Sequence, residues 1–303
     1  MEHEVRITPD HLITGDYRGR VNMENAIAAI LKDSVDFHIH ISPDPYEERI
    51  ADAREVALQA KNLEMKGIVL KSHHYPTAPV ASLTGKIVEG IQVLGSLTLN
   101  DGVGGINPHA VEASAKMGAR VVWMPTVSAS HERRRKGLGE GIALLGGDGK
   151  LLPEVRAVLA LIKEFELALG TGHLTREEII PLFHEAMKTG VSRFVVTHPL
   201  KVAGTSVDLD TQRTLAEKGA FIEHCFVATM SRSGKIDPAR IVEAIRYVGV
   251  AKCILSTDLG RSEYPPPWEG MQRMLTTLKQ NGLSERELSI LVKENPCKLL
   301  NLE

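Results

Sequence analysis

The stretch Asp36-Phe37-His38-Ile39-His40 decides how the rest of this sequence is interpreted. It has the character of a short strand, and side chains alternate between the two faces of a strand. His38 and His40 are therefore expected on one face together with Asp36, and Phe37 and Ile39 on the other. Two neutral imidazoles side by side at a strand end can chelate a divalent metal ion. The alternative is a pair of buried histidines with a structural role.

Strand-like and helix-like segments alternate along the whole chain. The predicted strands are Val35–His40, Gly67–Lys71, Ile91–Leu97, Arg120–Met124, Leu167–Thr171, Arg193–Thr197, Ala220–His224 and Lys252–Thr257. Several are continuous apolar runs, as expected of parallel strands that are buried on both faces. We predict an α/β fold, a closed (β/α)8 TIM barrel, with an N-terminal helical lead-in and a C-terminal helix. An open doubly wound sheet would need a glycine fingerprint after the first strand, where this chain has His-Ile-His.

The predicted helices begin with recognisable capping residues. Asparagine or aspartate followed by proline suits an N-cap and the first helical position, and Ser/Thr with Glu three residues later forms a capping box. These starts are Asn107-Pro108, Thr175 with Glu178, Asp237-Pro238 and Ser284 with Glu287.

A single barrel domain is predicted over residues 1–303, with a lid-like insertion at about residues 128–150. The insertion contains the basic run Arg133-Arg134-Arg135-Lys136, which is either a solvated loop or a lid that contacts an anionic group. Asp148-Gly149 predicts a small hairpin at its end.

Composition excludes several classes of function. The formal net charge of −2 gives no indication of nucleic-acid or membrane binding. The three cysteines form no C-x-x-C pair, so neither a disulfide framework nor a cysteine zinc site is expected. The sequence has no signal segment at its start and no apolar run of the roughly 18 residues that span a membrane. We therefore expect a cytoplasmic protein that binds neither nucleic acid nor a membrane, and a homo-oligomer is compatible with the sequence.

Polar residues collect at the predicted carboxyl ends of the strands, where the active sites of TIM barrels lie. The chain has only 12 histidines, and core packing gives no reason for them to gather at one rim. The strand-end residues are His38 and His40 (first strand), Lys71 and the following His73 (second), His173 (fifth), His198 (sixth), His224 (seventh) and Asp258 (eighth).

With these elements in this order, the chain resembles the amidohydrolase superfamily of metal-dependent hydrolases. The resemblance rests on His38-x-His40, His173, His198, Asp258 and the closing segment Glu294–Leu302. It implies a divalent metal held by His38, His40 and Asp258, with His173, His198 or both completing one or two sites. Zinc is favoured, and manganese, iron and nickel are alternatives.

The resemblance also leaves the number of metal ions open. Superfamily members with two metals usually have a bridging carboxylated lysine or glutamate at the fourth strand or a nearby one. Here the fourth strand ends in Trp123-Met124-Pro125, so we expect one tightly held ion. Lys71 is the strand-end lysine that could substitute as a bridge, or it could pair with a substrate carboxylate or phosphate.

The expected reaction is hydrolysis of a small amide, cyclic amide, lactone or ester by a metal-activated water. Asp258 would transfer the proton, and His198, if it is not a ligand, would orient the water or the oxyanion. Lys71 and His73 would bind substrate, and His224 would contact substrate or support a ligand. The alternatives are a binuclear phosphoesterase or TatD-like nuclease, a metal-dependent decarboxylase, and a non-catalytic ligand-binding barrel.

Overall fold

The computed structural model describes residues 17–200, 206–230 and 235–302, with backbone alone for residues 17–20. Within these residues, parallel strands pair in sequence order. They are β1 (Val35–His40), β2 (Gly67–Lys71), β3 (Gln92–Thr98), β4 (Ala119–Trp123), β5 (Ala168–Gly170), β6 (Phe194–Val196), β7 (Phe221–Cys225) and β8 (Cys253–Ser256). A parallel bridge between Ile39 and Leu259 joins the first strand to the segment after the last. The predicted (β/α)8 barrel is therefore confirmed, and no strand bound differs from its prediction by more than one residue.

Helices surround the barrel and also precede and follow it. They are α1 (Tyr17–Leu31), α2 (Ala53–Asn62), α3 (Ala78–Ile87), α4 (Pro108–Lys116), α5 (Ser130–Arg135), α6 (Pro153–Glu164), α7 (Arg176–Thr189), α8 (Leu209–Glu217), α9 (Pro238–Val248), α10 (Pro267–Gln280), α11 (Glu285–Ser289) and α12 (Asn295–Leu300). α1 is the predicted lead-in helix and α12 the predicted closing helix. No helix in the described ranges is long and apolar enough to cross a membrane.

The predicted helix starts are confirmed. The Asn107 side chain accepts hydrogen bonds from the first N–H groups of α4, and Asp237 does the same for α9. Reciprocal capping boxes begin α7 at Thr175 and α11 at Ser284. These side chains satisfy N–H groups that have no partner inside the helix.

The barrel interior is filled by apolar side chains from several strands and from α12. The Trp123 side chain of β4 packs there against Phe37, with ring centroids 5.9 Å apart. Leu299 and Leu300 of α12 join the same cluster, so the closing helix completes the apolar core of the barrel. Asn295 fixes this helix by donating hydrogen bonds to the carbonyls of Val250 and Cys253.

Strand β1 contains an irregularity that alternation did not predict. Its register against β2 shifts between Asp36 and Ile39. Phe37 lies in the interior cluster, and the next residue, His38, also contacts the interior Trp123 ring, at 5.3 Å between centroids. Asp36 instead lies beside Ile39 and residues of α2 and α10. The predictions that Asp36 shares the face of the histidines and that Phe37 points away from them are therefore wrong, because a bulge adds a residue to the strand.

The segment of residues 128–150 contains α5 and the predicted hairpin. Leu145 and Leu151 form an antiparallel bridge across the turn. In the basic run, Arg133 pairs with Asp101, while Arg135 and Lys136 both pair with Glu132. These basic residues thus have acidic partners on the protein itself.

Candidate metal centre and active site

Three side chains from the first and last strands converge at the carboxyl end of the barrel. Asp258 Oδ1 lies 3.1 Å from both His38 Nε2 and His40 Nε2. All three residues are buried. Ligand atoms 2.0–2.2 Å from a tetrahedral ion lie about 3.3–3.6 Å from one another, slightly further apart than these atoms. Their spacing and their nitrogen and oxygen donors therefore fit one divalent metal ion, as was predicted for His38, His40 and Asp258.

The backbone between β1 and the end of β8 holds these donors together. The Asp258 N–H donates to the His38 carbonyl at 2.8 Å, and the His40 N–H donates to the Leu259 carbonyl at 2.8 Å. Asp258 has a φ of 50° and His198 a φ of 32°. Positive φ is uncommon outside glycine and costs free energy, so its presence at two candidate site residues is consistent with a functional constraint.

Asp36 supports this arrangement from outside the cluster. Its carboxylate accepts hydrogen bonds from the Thr257 hydroxyl at 2.6 Å, the Thr257 N–H at 3.0 Å and the His38 N–H at 3.2 Å. Burial raises the Asp36 pKa to about 6, although these hydrogen bonds oppose the shift. Asp36 therefore connects the backbone of His38 to Thr257, the residue before Asp258.

His198 and His173 are two further histidines of the strand ends. His198 Nε2 is 4.0 Å from Asp258 Oδ2, and its ring stacks 6.2 Å from that of His38. The His173 ring is 5.0 Å from the His198 ring. His173 follows Gly172, which has a positive φ of 59° and where a Cβ would lie only 2.3 Å from the Met124 carbonyl oxygen. The structure thus brings His198 beside the central donors and His173 beside His198.

Lys71 lies inside the cluster rather than at its edge. Its ammonium Nζ is 2.9 Å from His38 Nε2 and 4.5 Å from the centre of the Trp123 ring. The side chain is fully buried. Trp123 therefore takes the interior position at the end of β4, and the cationic group nearest the histidines comes from β2.

His73 lies at the rim of the cluster, with its ring 4.5 Å from that of His40. Its Nδ1 is 2.9 Å from the Thr126 hydroxyl, which also accepts a hydrogen bond from Asn100 at 2.8 Å. Burial and then the charges of His40 and Lys71 hold the His73 pKa well below its usual value. His73 is therefore a neutral side chain at neutral pH.

The two central histidines differ in their electrostatics. Burial holds the His40 pKa well below its usual value, so His40 is neutral and able to act as a ligand. Burial also opposes protonation of His38, but the carboxylates of Asp258 and Glu223 outweigh it and raise the His38 pKa. A proton therefore competes with a metal ion for His38.

Glu223 lies beside a candidate ligand, whereas the sequence analysis gave the role at the end of the seventh strand to His224. Its Oε1 lies 3.1 Å from His38 Nδ1 and accepts a hydrogen bond from the Ser256 hydroxyl at 2.6 Å. Cys225, two residues further on the same strand, is 3.2 Å from the same hydroxyl. Strict alternation along β7 places Glu223 and Cys225 on the interior face, and that signal was available in the sequence.

His224 occupies the other face of β7. It is buried beside Leu200, Ala228 and Ile241 of the surrounding layer. Neither ring nitrogen has a hydrogen-bond partner within the described part of the chain, and burial lowers the His224 pKa to about 4. His224 shares the lining of a small cavity with His198, but within the described residues no hydrogen bond joins it to the three central donors, so the substrate contact stays a prediction.

A family model described as "Family of unknown function (DUF6282)" matches residues 33–223, which is more than half of the chain. The chain belongs to the DUF6282 family. The matched span of this DUF6282 protein includes His38, His40, Lys71 and Glu223, whereas Asp258 lies beyond it. A search of curated proteins finds no match to the sequence.

Solved structures extend the comparison of this DUF6282 barrel. An amidohydrolase from Pseudomonas aeruginosa aligns with a TM-score of 0.61 at 14% identity, over 91% of this chain and 98% of the other. The probable dipeptidase PvdM from the same species aligns with a TM-score of 0.67 at 11% identity, over 93% and 98%. A 2,6-dihydroxybenzoate decarboxylase aligns with a TM-score of 0.54 at 12% identity, over 89% and 100%. These similarities confirm the predicted resemblance at the level of an amidohydrolase-type barrel fold.

Proposed function

We propose that this protein is a metal-dependent hydrolase of a small-molecule amide, cyclic amide, lactone or ester. The observation that carries the proposal is the distance of 3.1 Å from Asp258 Oδ1 to each of two histidine Nε2 atoms. The hydrolases among the structural neighbours share the barrel on which this cluster is built.

In this proposal His38, His40 and Asp258 hold one divalent ion, with His198 and His173 as further candidate ligands. Zinc suits the nitrogen and oxygen donors best, and manganese, iron and nickel are alternatives. When bound, such an ion lowers the pKa of a water molecule to about 7 and polarises the oxygen of the scissile group. A single ion is favoured because the end of β4 presents Trp123 rather than a bridging carboxylate.

The chain's own residues would then divide the remaining chemistry. Asp258 accepts a proton from the attacking water and transfers it to the leaving group. His198, whose Nε2 is 4.0 Å from Asp258 Oδ2, would orient the water or donate an N–H to the negative charge that develops on the substrate oxygen if it is not a metal ligand. His73 positions the substrate from the rim, because it is partly exposed, neutral and adjacent to His40.

Lys71 favours a substrate with an anionic group. Its ammonium is a buried point charge beside the candidate ligands, where it can attract a carboxylate or phosphate. The proposed partner is thus a small molecule that carries such a group. Neither nucleic acid nor a membrane is part of the proposal, and a homo-oligomer is compatible with it.

A metal-dependent decarboxylase is the second candidate. The observation in its favour is the same Lys71 ammonium, which would hold a substrate carboxylate next to the metal ligands. A 2,6-dihydroxybenzoate decarboxylase is also among the proteins that share the fold. Release of carbon dioxide from aromatic or heterocyclic acids distinguishes this activity from hydrolysis.

The test is metal content together with turnover, measured on protein purified without chelator. We expect about one equivalent of a divalent metal in the wild type, and almost none in His38→Ala or Asp258→Ala, because each variant removes one of three ligands. Both variants should also lose turnover on any amide, lactone or ester that the wild type hydrolyses. His109→Ala, which removes an exposed histidine, should change neither property.

Other results would point elsewhere. Wild-type protein that holds no metal, even after metal is added back, would contradict the proposed function and favour a non-catalytic ligand-binding barrel. Two equivalents of metal with phosphodiester cleavage would favour a phosphoesterase or nuclease. Full turnover in either ligand variant would show that the active site lies elsewhere.

A further inference from the structure

The Glu223 carboxylate is buried directly beside His38, inside the barrel. It is fully inaccessible to solvent, as is the His38 side chain. Its Oε2 atom has no hydrogen-bond partner in the described residues, while Oε1 accepts from Ser256 and lies 3.1 Å from His38 Nδ1. Burying a carboxylate costs free energy unless it is paired. The contacts with His38 and Ser256 are the ones that offset this cost for Glu223.

This contact determines which ring nitrogen of His38 carries the proton. A neutral imidazole has one N–H donor and one nitrogen lone pair. An ionised carboxylate can only accept, so a hydrogen bond between Glu223 and His38 places the proton on Nδ1. The lone pair is then on Nε2, the atom that lies 3.1 Å from Asp258 Oδ1.

Lys71 favours the same tautomer from the other side of the ring. Its ammonium can only donate, and it lies 2.9 Å from His38 Nε2. Asp258 opposes it, because its carboxylate would accept a proton from Nε2. Glu223 is thus the carboxylate that keeps the Nε2 lone pair available.

We propose that Glu223, oriented by Ser256, is a positioning residue that fixes the Nδ1–H tautomer of His38 and thereby directs its Nε2 lone pair to the metal site. The metal-binding part of this inference rests on the proposed function, whereas the tautomer part does not. Carboxylates that accept from metal-bound histidines commonly change metal affinity by about 10–100-fold.

The tautomer is measured first, by long-range nitrogen–proton NMR on metal-free protein labelled at the histidine nitrogens. The pH must be high enough for His38 to be neutral, and a His38→Gln variant assigns its signals. We expect the proton on Nδ1 in the wild type. In Glu223→Leu we expect a substantial share of the proton to move to Nε2, where Asp258 accepts it in competition with the Lys71 ammonium. A wild-type proton on Nε2, or an unchanged proton position in Glu223→Leu, would overturn the inference.

Zinc affinity, measured by competition with a chromophoric chelator, is the second readout. We expect Glu223→Leu to weaken zinc binding by about 10–100-fold. Glu223→Gln, which is nearly isosteric and keeps a neutral acceptor, should lose less affinity and serves if the leucine variant fails to fold. Unchanged zinc affinity in a folded Glu223→Leu would contradict the metal-binding part.

Cys225→Ala is the matched control, because Cys225 is on the same face of β7 and contacts Ser256. Its zinc affinity should equal that of the wild type. His38, Glu223 and Cys225 also lie close enough together to hold an ion themselves. If Cys225→Ala loses as much zinc affinity as Glu223→Leu, these three residues bind the ion themselves. Glu223 would then be a ligand, which overturns its positioning role. If wild-type protein binds no metal, the proposed function fails, while the NMR result still decides the tautomer.

Discussion

Lys71 is a candidate either for binding an anionic substrate or for bridging metal ions. A single substitution distinguishes these two roles. Lys71→Met keeps the length of the side chain and its packing over Trp123 but removes the charge. If Lys71 binds an anionic substrate, this variant should retain one metal equivalent and raise KM by roughly 10–100-fold, since a hydrogen bond to a charged group contributes about 1.5–3 kcal/mol.

Metal analysis and steady-state kinetics on the same Lys71→Met preparation check this prediction. Lys71→Arg, which retains a positive charge, is the matched variant and should recover part of the affinity. Loss of metal from Lys71→Met would instead make Lys71 a ligand or a carboxylated bridge.

His224 should affect acid stability rather than catalysis. Burial lowers its pKa from 6.5 to about 4, so the unfolded chain takes up a proton before the folded protein does. This difference in proton uptake does not lower the free energy of unfolding above pH 6.5. The free energy of unfolding then decreases as pH falls, by about 3 kcal/mol below pH 4. His224→Leu should remove this loss and leave metal content unchanged.

Urea denaturation of the wild type and His224→Leu across this pH range tests the prediction. Replacing the exposed His184 by leucine provides a control that should retain the wild-type slope. An unchanged slope in His224→Leu, or a loss of turnover, would count against a purely structural role.

At the scale of the strands, Gly170 of β5 leaves room for the Trp123 ring that lies beneath the candidate metal centre. A Cβ at Gly170 would lie 2.2 Å from Trp123 Cδ1. Phe37 and Lys71 also pack against this ring, so it has little space to move. Gly170→Ala should therefore destabilise the protein by about 1–3 kcal/mol, the usual cost of overpacking a core.

The free energy of unfolding, measured by urea denaturation, checks this expectation. Gly147→Ala is a suitable control, because no atom lies within 4 Å of the added Cβ. A Gly170→Ala variant as stable as this control would show that Trp123 can shift without cost.

The strands differ in how far the sequence determines their side chains. The alternation of strand-like and helix-like segments located all of them, and several are continuous apolar runs because parallel strands are buried on both faces. The bulge in β1 depends on how that strand pairs with β2, and no local residue marks it. On β7 we assigned a site role to His224 because histidine is a common ligand and catalytic residue. Alternation along the strand instead places Glu223 on the interior face, beside His38.

At the scale of the whole molecule, barrel topology explains why the candidate ligands could be predicted. Parallel strands in sequence order bring all their carboxyl ends to one rim, so strand-end residues meet whatever their separation in the chain. Substrate choice depends instead on the loops and on buried contacts such as Lys71 with His38. Those contacts follow from side-chain conformations that periodicity does not specify.

The meeting of the first and last strands has a consequence for synthesis. His40 and Asp258 are 218 residues apart in the chain, yet their side chains are in contact. On the ribosome, the histidine pair emerges long before its carboxylate partner, so a nascent chain holds only part of the ligand set. Metal binding would therefore follow barrel closure. An ion bound there would link the first strand to the segment after the last strand and so stabilise the closed barrel.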